Sequence, residues 1–294
     1  MNRQAARPLG IEETLQGLGA AADRLLVSVG PEHRATPAQV LLLDPAALLR
    51  AVRAFGRAAG TDEMGVAASL LCQAWAVSVT RAAIACLVGA RRVPDLTAAN
   101  TELVFDGARR PAAAALIRPR FAAVVGDEEA GADPEAEIVL DDDALFAWTR
   151  ARLFDGHLGL LVDALHDLVP VGQRLLWGNV AAAVAGGFAA LTVLPDRPFD
   201  PDHVLPEGAR FLDAPESPIA GLAALFPVTH EGGTRLFVRR QTCCLRYRLP
   251  GAPPTCLSCR LLPEPERHRR IRARLDPPGD GPPPSPGIGI TKAP

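Results

Sequence analysis

The seventeen residues from Cys243 to Cys259 constrain this chain more than any other stretch. They carry four of its six cysteines in the order C-C-x11-C-x2-C, near the end of a mostly aliphatic sequence. Four thiolates hold a zinc ion or an iron–sulfur cluster, or close two disulfides, so whatever surrounds this segment must bring two cysteine pairs together. The Cys256-x-x-Cys259 half is a chelating turn, in which two intervening residues reverse the chain and point both sulfurs one way. The Cys243-Cys244 half is harder to use. Neighbouring side chains of an extended chain point to opposite sides, so a single tetrahedral ion requires a distorted backbone there. A two-iron cluster gives the sulfurs more freedom. On the residues alone, zinc and iron–sulfur ligation both remain open.

The run from Phe237 to Leu261 resembles the C-terminal segment of the FhuF family of siderophore-iron reductases. Arg240, the Cys243-Cys244 pair, Tyr247, the Pro250-Gly251 turn and the closing Cys256-x-x-Cys259 carry that resemblance. Arg174 to Phe188, containing Trp177-Gly178-Asn179, is similar to the family's helical region. The resemblance implies a [2Fe-2S] cluster on Cys243, Cys244, Cys256 and Cys259 and reduction of a ferric siderophore, the hydroxamate type being one candidate class. Trp177 and Asn179 are candidates for contact with the siderophore or the cluster segment, with ordinary core packing the alternative for Trp177. Arg240, Arg246 and Tyr247 stand close to the cysteines in sequence and are candidates to interact with an anionic cluster or chelate. Family members carry a helical body with a small cluster segment, and the eleven-residue spacer here lies in a Pro/Gly loop that tolerates extra length.

The remaining sequence predicts a mainly α fold with a small β component (α+β). Hydrophobic residues make up 48% of the 294 and aromatics only 5%, so the core must be built from Ala, Leu and Val. Asp44-Pro45 sets a capping carboxylate before a proline at the first helical position, and Thr36-Pro37 repeats the pattern. After Asp44, Leu48, Leu49, Val52 and Phe55 fall on one helical face. A helix capped by Thr61 is expected to run to Val88, apolar nearly all round and therefore central. Cys72 and Cys86 lie in it about 21 Å apart by helical rise, too far to pair, and read as buried structural thiols. Glu102–Phe105, Asp106-Gly107 and Ala113–Ile117 read as a hairpin, with a further strand at Phe121–Val125. Gly126 to Glu137 reads as a solvated acidic loop.

Further on, Asp141-Asp142-Asp143 opens a helix, Gly156 marks a bend, and another helix is expected from Val171 to Ala185. Ala189–Leu194 reads as a short strand, Pro198–Pro218 as loop, Pro218–Phe226 as a short helix, Arg235–Arg240 as a strand and Arg267–Leu275 as a basic helix. Leu15–Leu26 reads as an early helix and Asp276–Pro294 as a disordered tail. The expected organisation is a helical and hairpin part over 1–132, a helical body over 133–234, a cluster segment over 235–262, and a basic, then Pro/Gly-rich tail over 263–294.

Function classes narrow accordingly. A net charge of −2 argues against broad nucleic-acid binding through a basic face. No G-x-G-x-x-G follows a strand and no P-loop occurs, so electrons are expected from an external donor such as a ferredoxin or an NAD(P)H-dependent reductase. Met64–Thr80 and Leu175–Leu194 lack charge, but Gln73, Asn179 and Gly186-Gly187 favour buried core helices over membrane spans. Peripheral membrane association stays compatible with the sequence. Met1–Pro8 leads into Glu12-Glu13 rather than an apolar run, so no signal peptide is expected, and the location expected is cytoplasmic. His157, His166 and His230 read as surface or capping residues. Two rivals stand beside the reductase: a scaffold with structural zinc on the same four cysteines, and a siderophore-assembly accessory.

Overall fold

The computed structural model describes residues 10–18, 27–30, 35–194 and 198–275. The predicted 276–294 tail and the second half of the predicted Leu15–Leu26 helix lie outside them. Helices dominate, with three small sheets, as the composition led us to expect.

In chain order, α1 (Ile11–Gly17), β1 (Val27–Val29), β2 (Ala35–Pro37) and α2 (Ala38–Leu43) precede α3 (Pro45–Ala58). Asp44 caps α3 through its carboxylate, which accepts from Ala46 N and Ala47 N, and Leu48, Val52 and Phe55 are buried beneath it. Thr36-Pro37 does not start a helix in the same way. Both residues pair in β2 with β4, and α2 begins without a side-chain cap.

The organising element is α4 (Met64–Ala90), buried on nearly every side. It begins three residues after the expected cap, Thr61, whose hydroxyl accepts from Glu63 N instead of capping the first helical turn. Its main packing partner is α8 (Gln173–Leu191). Gly187 permits that approach, since a Cβ there would sit 3.3 Å from Ile84 Cγ1. By length and apolarity both helices could cross a membrane, yet most of each lies inside the fold. The expected strand at Ala189–Leu194 is absent, because α8 continues through Gly186-Gly187 to Leu191.

β3 (Arg92–Pro94) pairs with β6 (Phe121–Val124), and β4 (Thr101–Phe105) forms the expected hairpin with β5 (Pro111–Leu116). β1 and β2 flank that hairpin to make four strands. The acidic stretch is not a solvated loop. It folds into α5 (Glu128–Gly131) and β7 (Ala136–Val139), the latter parallel to β6. Asp127 receives a bidentate pair from Arg92 at 2.6 and 2.7 Å, which holds its carboxyl below the usual range. Glu135 and Glu137 face Arg118 and Arg152 at 3.0 Å.

α6 (Asp142–Arg150) starts under an Asp141 cap. It runs through a π-helical segment, Ala151–Leu158, into α7 (Gly159–Leu168), so the region around Gly156 is wound differently rather than broken. The segment presents His157, which is fully buried and not on the surface. Trp75 Nε1 donates to its Nε2 at 2.8 Å, and its Nδ1 lies 2.7 Å from Leu96 O. Neutral imidazole with hydrogen on Nδ1 satisfies both bonds, and burial holds its pKa down at about 4.

Pro198–Pro218 is not loop throughout. Asp200 caps α9 (Pro201–Leu212), which tolerates Pro206 and buries Val204, Phe211 and Leu212. The expected helix at Pro218–Phe226 is instead a turn entering β8 (Ala223–His230), the partner of β9 (Gly233–Arg240). α10 (Glu264–Leu275) closes the described chain.

Candidate metal centre

β9 delivers the chain to the cysteines, and its last residue sets the site. Arg240 is 2% exposed, unlike its neighbour Arg239. Its guanidinium donates to Asn179 Oδ1 and reaches Gly178 O at 3.5 Å. Asn179, fully buried on α8, donates through Nδ2 to Ser69 O at 2.8 Å and Ser69 Oγ at 2.9 Å. Ser69, on α4, in turn donates to Cys244 O at 2.9 Å. One polar chain thus runs Arg240–Asn179–Ser69–Cys244 through an otherwise aliphatic interior. Such a network costs little when every member is paired and a great deal when one is removed.

Gly178 completes the seat. A Cβ there would fall 1.8 Å from Thr242 Oγ1, so only glycine lets the chain press onto α8 immediately before the cysteine pair. The vicinal pair is accommodated by a backbone kink. Leu245 adopts φ 63°, ψ 4°, a left-handed conformation that a leucine enters at a cost of roughly 1 kcal/mol. Its N–H points to Cys243 Sγ at 3.4 Å. The distortion expected at Cys243-Cys244 therefore sits one residue later.

A 3₁₀ turn, Arg246–Arg248, and the Pro250-Gly251 reversal bring the chain back. Cys259 N donates to Cys256 O at 3.0 Å, forming the chelating turn. Arg267 of α10, 3% exposed, fixes that turn from behind. It donates to Leu257 O at 3.1 Å, Cys259 O at 2.7 Å and Leu262 O at 3.0 Å.

The two pairs meet through Cys244 and Cys256. The Cys244 thiol donates to Cys256, which lowers the Cys256 pKa; Ser258 and Arg240 add to that effect. The same bond and burial drive Cys244 upward. The donor set suits a thiolate-ligated metal group in three respects. It comprises four thiols on two short turns, one of them held toward thiolate, with a buried cation alongside. Arg240 Nε and Thr242 Oγ1 are also buried with no hydrogen-bond partner among the described residues, a capacity that anionic sulfur would satisfy. The cage is not closed, however. Among the described residues no three His, Cys, Asp or Glu side chains converge on one point.

The other residues singled out in the sequence divide. Trp177 is half-buried and packs edge-on against Phe154, with ring centroids 6.0 Å apart. Arg246 is half-buried on the 3₁₀ turn beside an exposed Tyr247. Cys72 and Cys86 are buried thiols, as expected, each with a pKa pushed up to about 12 by burial. His230 caps its turn by accepting from Gly232 N at 3.1 Å, and His166 Nδ1 lies 2.8 Å from Val171 O. Sequence reasoning missed Ser69, Thr242 and Arg267. The first two are small hydroxyl residues whose role depends on distant partners. Arg267 carries no local mark distinguishing it from the arginines around it.

No match is found among curated proteins. The family model described as ferric iron reductase FhuF-like transporter matches residues 69–240. That span opens on Ser69 and ends on Arg240, the two residues that tie α4 and β9 to Asn179, and it stops short of the cysteines. With more than half of its 294 residues matched, the chain belongs to the FhuF family.

Proposed function

We propose that this protein is a ferric-siderophore reductase of the cytoplasm, with a [2Fe-2S] cluster held by Cys243, Cys244, Cys256 and Cys259. The observation that carries this reading is the seating of the cysteine pairs against the family's own α4–α8 core through Ser69, Asn179 and Arg240. When bound, the cluster supplies one electron at a time.

The chain's residues have separable parts in this scheme. Cys244 and Cys256 already share a hydrogen bond and offer the half of the ligand set that is in contact. Arg240 balances thiolate charge from a position where water screens it little. Thr242 Oγ1 and Arg240 Nε are buried with no hydrogen-bond partner among the described residues and would be the O–H and N–H donors open to a bound anionic group. Arg267 keeps the Cys256–Cys259 turn rigid. Siderophore oxygens bind hard ferric iron tightly and ferrous iron far more weakly, so a single electron loosens the metal without destroying the chelator. For one electron each ~59 mV of driving force shifts the equilibrium tenfold, and capture of released ferrous ion draws the reaction on.

The test is a single-turnover assay. Pre-reduced protein is mixed anaerobically with several ferric chelates, hydroxamates among them, and ferrous iron is captured by a coloured trap. About one ferrous ion per reduced cluster is expected. A colourless, zinc-loaded protein that reduces no chelate would instead make the four cysteines a structural clasp.

A further inference from the structure

Charge is distributed very unevenly along this chain. Residues 235–275 contain eleven arginines and only two acidic residues, Glu264 and Glu266, whereas the whole protein has 31 basic and 33 acidic residues. A near-neutral total therefore conceals a strongly basic lobe on a clearly acidic body. The lobe is the part that carries the four cysteines.

Within it, α10 shows which way the charge faces. Arg267 and Ile271 are buried, the first on the carbonyls of the Cys256–Cys259 turn. Arg269 and Arg272 are exposed on the other side, Arg269 by 77%, while Arg270 lies on the flank and also donates to Thr255 Oγ1 at 3.0 Å. Glu266 pairs with both Arg269 and Arg270, leaving the helix in net positive excess. Arg239, half-exposed at the end of β9, lies 4.0 Å from Glu264 of the same helix and places a further guanidinium beside it. The helix is about 18 Å long by its rise, and its inner face is bolted to the turn that bears two of the thiols. A partner settling on its outer face is separated from that turn by the width of one helix, about 10 Å.

We propose that the outer face of α10, with Arg239, is the docking surface for an acidic one-electron donor protein. The proposal rests on the reductase reading above and says where its electron enters. One electron passes from the reduced donor to the oxidised cluster; the donor is oxidised by one electron and no bond is made or broken. Opposite charge raises the encounter rate and orients the partner, and salt weakens it. A compact acidic protein suits this surface better than an extended polyanion or an anionic membrane, both of which would also meet the acidic body.

The test titrates the reconstituted full chain with a small acidic [2Fe-2S] ferredoxin by calorimetry, and follows electron transfer by stopped-flow. Raising salt from about 50 to about 200 mM is expected to weaken binding roughly tenfold. The Arg269→Glu/Arg272→Glu variant, which leaves the Arg270–Thr255 contact beside Cys256 in place, is expected to lose at least about tenfold in both affinity and transfer rate at low salt. Reduction by an uncharged photoreductant should be unchanged. The single Arg272→Glu variant, which leaves the Glu266 pairs intact, should move both quantities the same way by a smaller factor, with α-helical circular dichroism preserved. Equal ferredoxin binding and transfer in wild type and variants would overturn the proposal. So would tight binding of duplex DNA or phosphatidylserine vesicles with none of ferredoxin. A protein that loads its cluster and reduces chelates but ignores ferredoxin removes the docking surface alone. One that binds ferredoxin through these arginines yet carries no cluster retains the surface and removes the reductase reading.

Discussion

The α4–α8 pair and the cysteine-bearing lobe are built on opposite principles. The pair is aliphatic, with buried residues on nearly every side. It is stabilised by non-directional burial of apolar area at about 25 cal/mol per Å². The lobe is short of buried apolar residues and is positioned by directed contacts: Arg240 on Asn179, Ser69 on the Cys244 carbonyl, Arg267 on three carbonyls. A body of the first kind stays folded through many small changes. A lobe of the second kind depends on each contact, and gains a fixed geometry in return. The cysteine-bearing lobe is tied to this core by a buried polar chain, and variants should separate the two regions.

The largest separation is expected from the ligands themselves. Cys243→Ser or Cys259→Ser should abolish cluster loading and chelate reduction while helical circular dichroism and the main unfolding transition stay in place. Loss of the transition together with the chromophore would show that the lobe and body fold as one.

Acid should strike the body first at His157. Its folded pKa of about 4 lies below the unfolded 6.5, so the unfolded chain takes up the proton in that window. The contribution is fully present above about pH 6.5 and is lost as pH falls toward 4, amounting to roughly 3 kcal/mol. Urea midpoints measured across this range should fall, and His157→Gln should flatten that slope without altering an assembled cluster.

Arg240→Gln leaves Asn179 without its charged donor and should cost about 2 kcal/mol, the scale of a buried hydrogen bond to a charged group. The effect should appear at the lobe, as faster proteolysis between Arg240 and Cys259 and a shifted cluster potential, before it appears in the body. Asp44→Ala removes the α3 cap and should lower stability by about 1 kcal/mol in thermal unfolding, with the cluster spectrum unchanged.

The sequence disclosed these two regions unequally. Asp44-Pro45 and the charge-free run from Met64 are local signals, and α3 and α4 follow from them. The cysteine spacing named its own segment. Asp200-Pro201 is the same signal as Asp44-Pro45, but the prolines after it hid α9, whose buried Val204, Phe211 and Leu212 hold helical spacing around Pro206. The carboxylates of 127–137 looked solvated because their partners, Arg92, Arg118 and Arg152, lie far away in the chain. Arg240 looked like its neighbour Arg239, and only the fold shows that one is buried and the other half-exposed. Local pattern reveals a residue's element. A buried polar partner drawn from another element is visible only once the chain is packed.

The most direct test of the central claim is the metal and acid-labile sulfide content of anaerobically reconstituted protein. The account predicts about two iron and two sulfide per chain, with a visible chromophore that bleaches on reduction. One zinc per chain, with no sulfide and no colour, would contradict it.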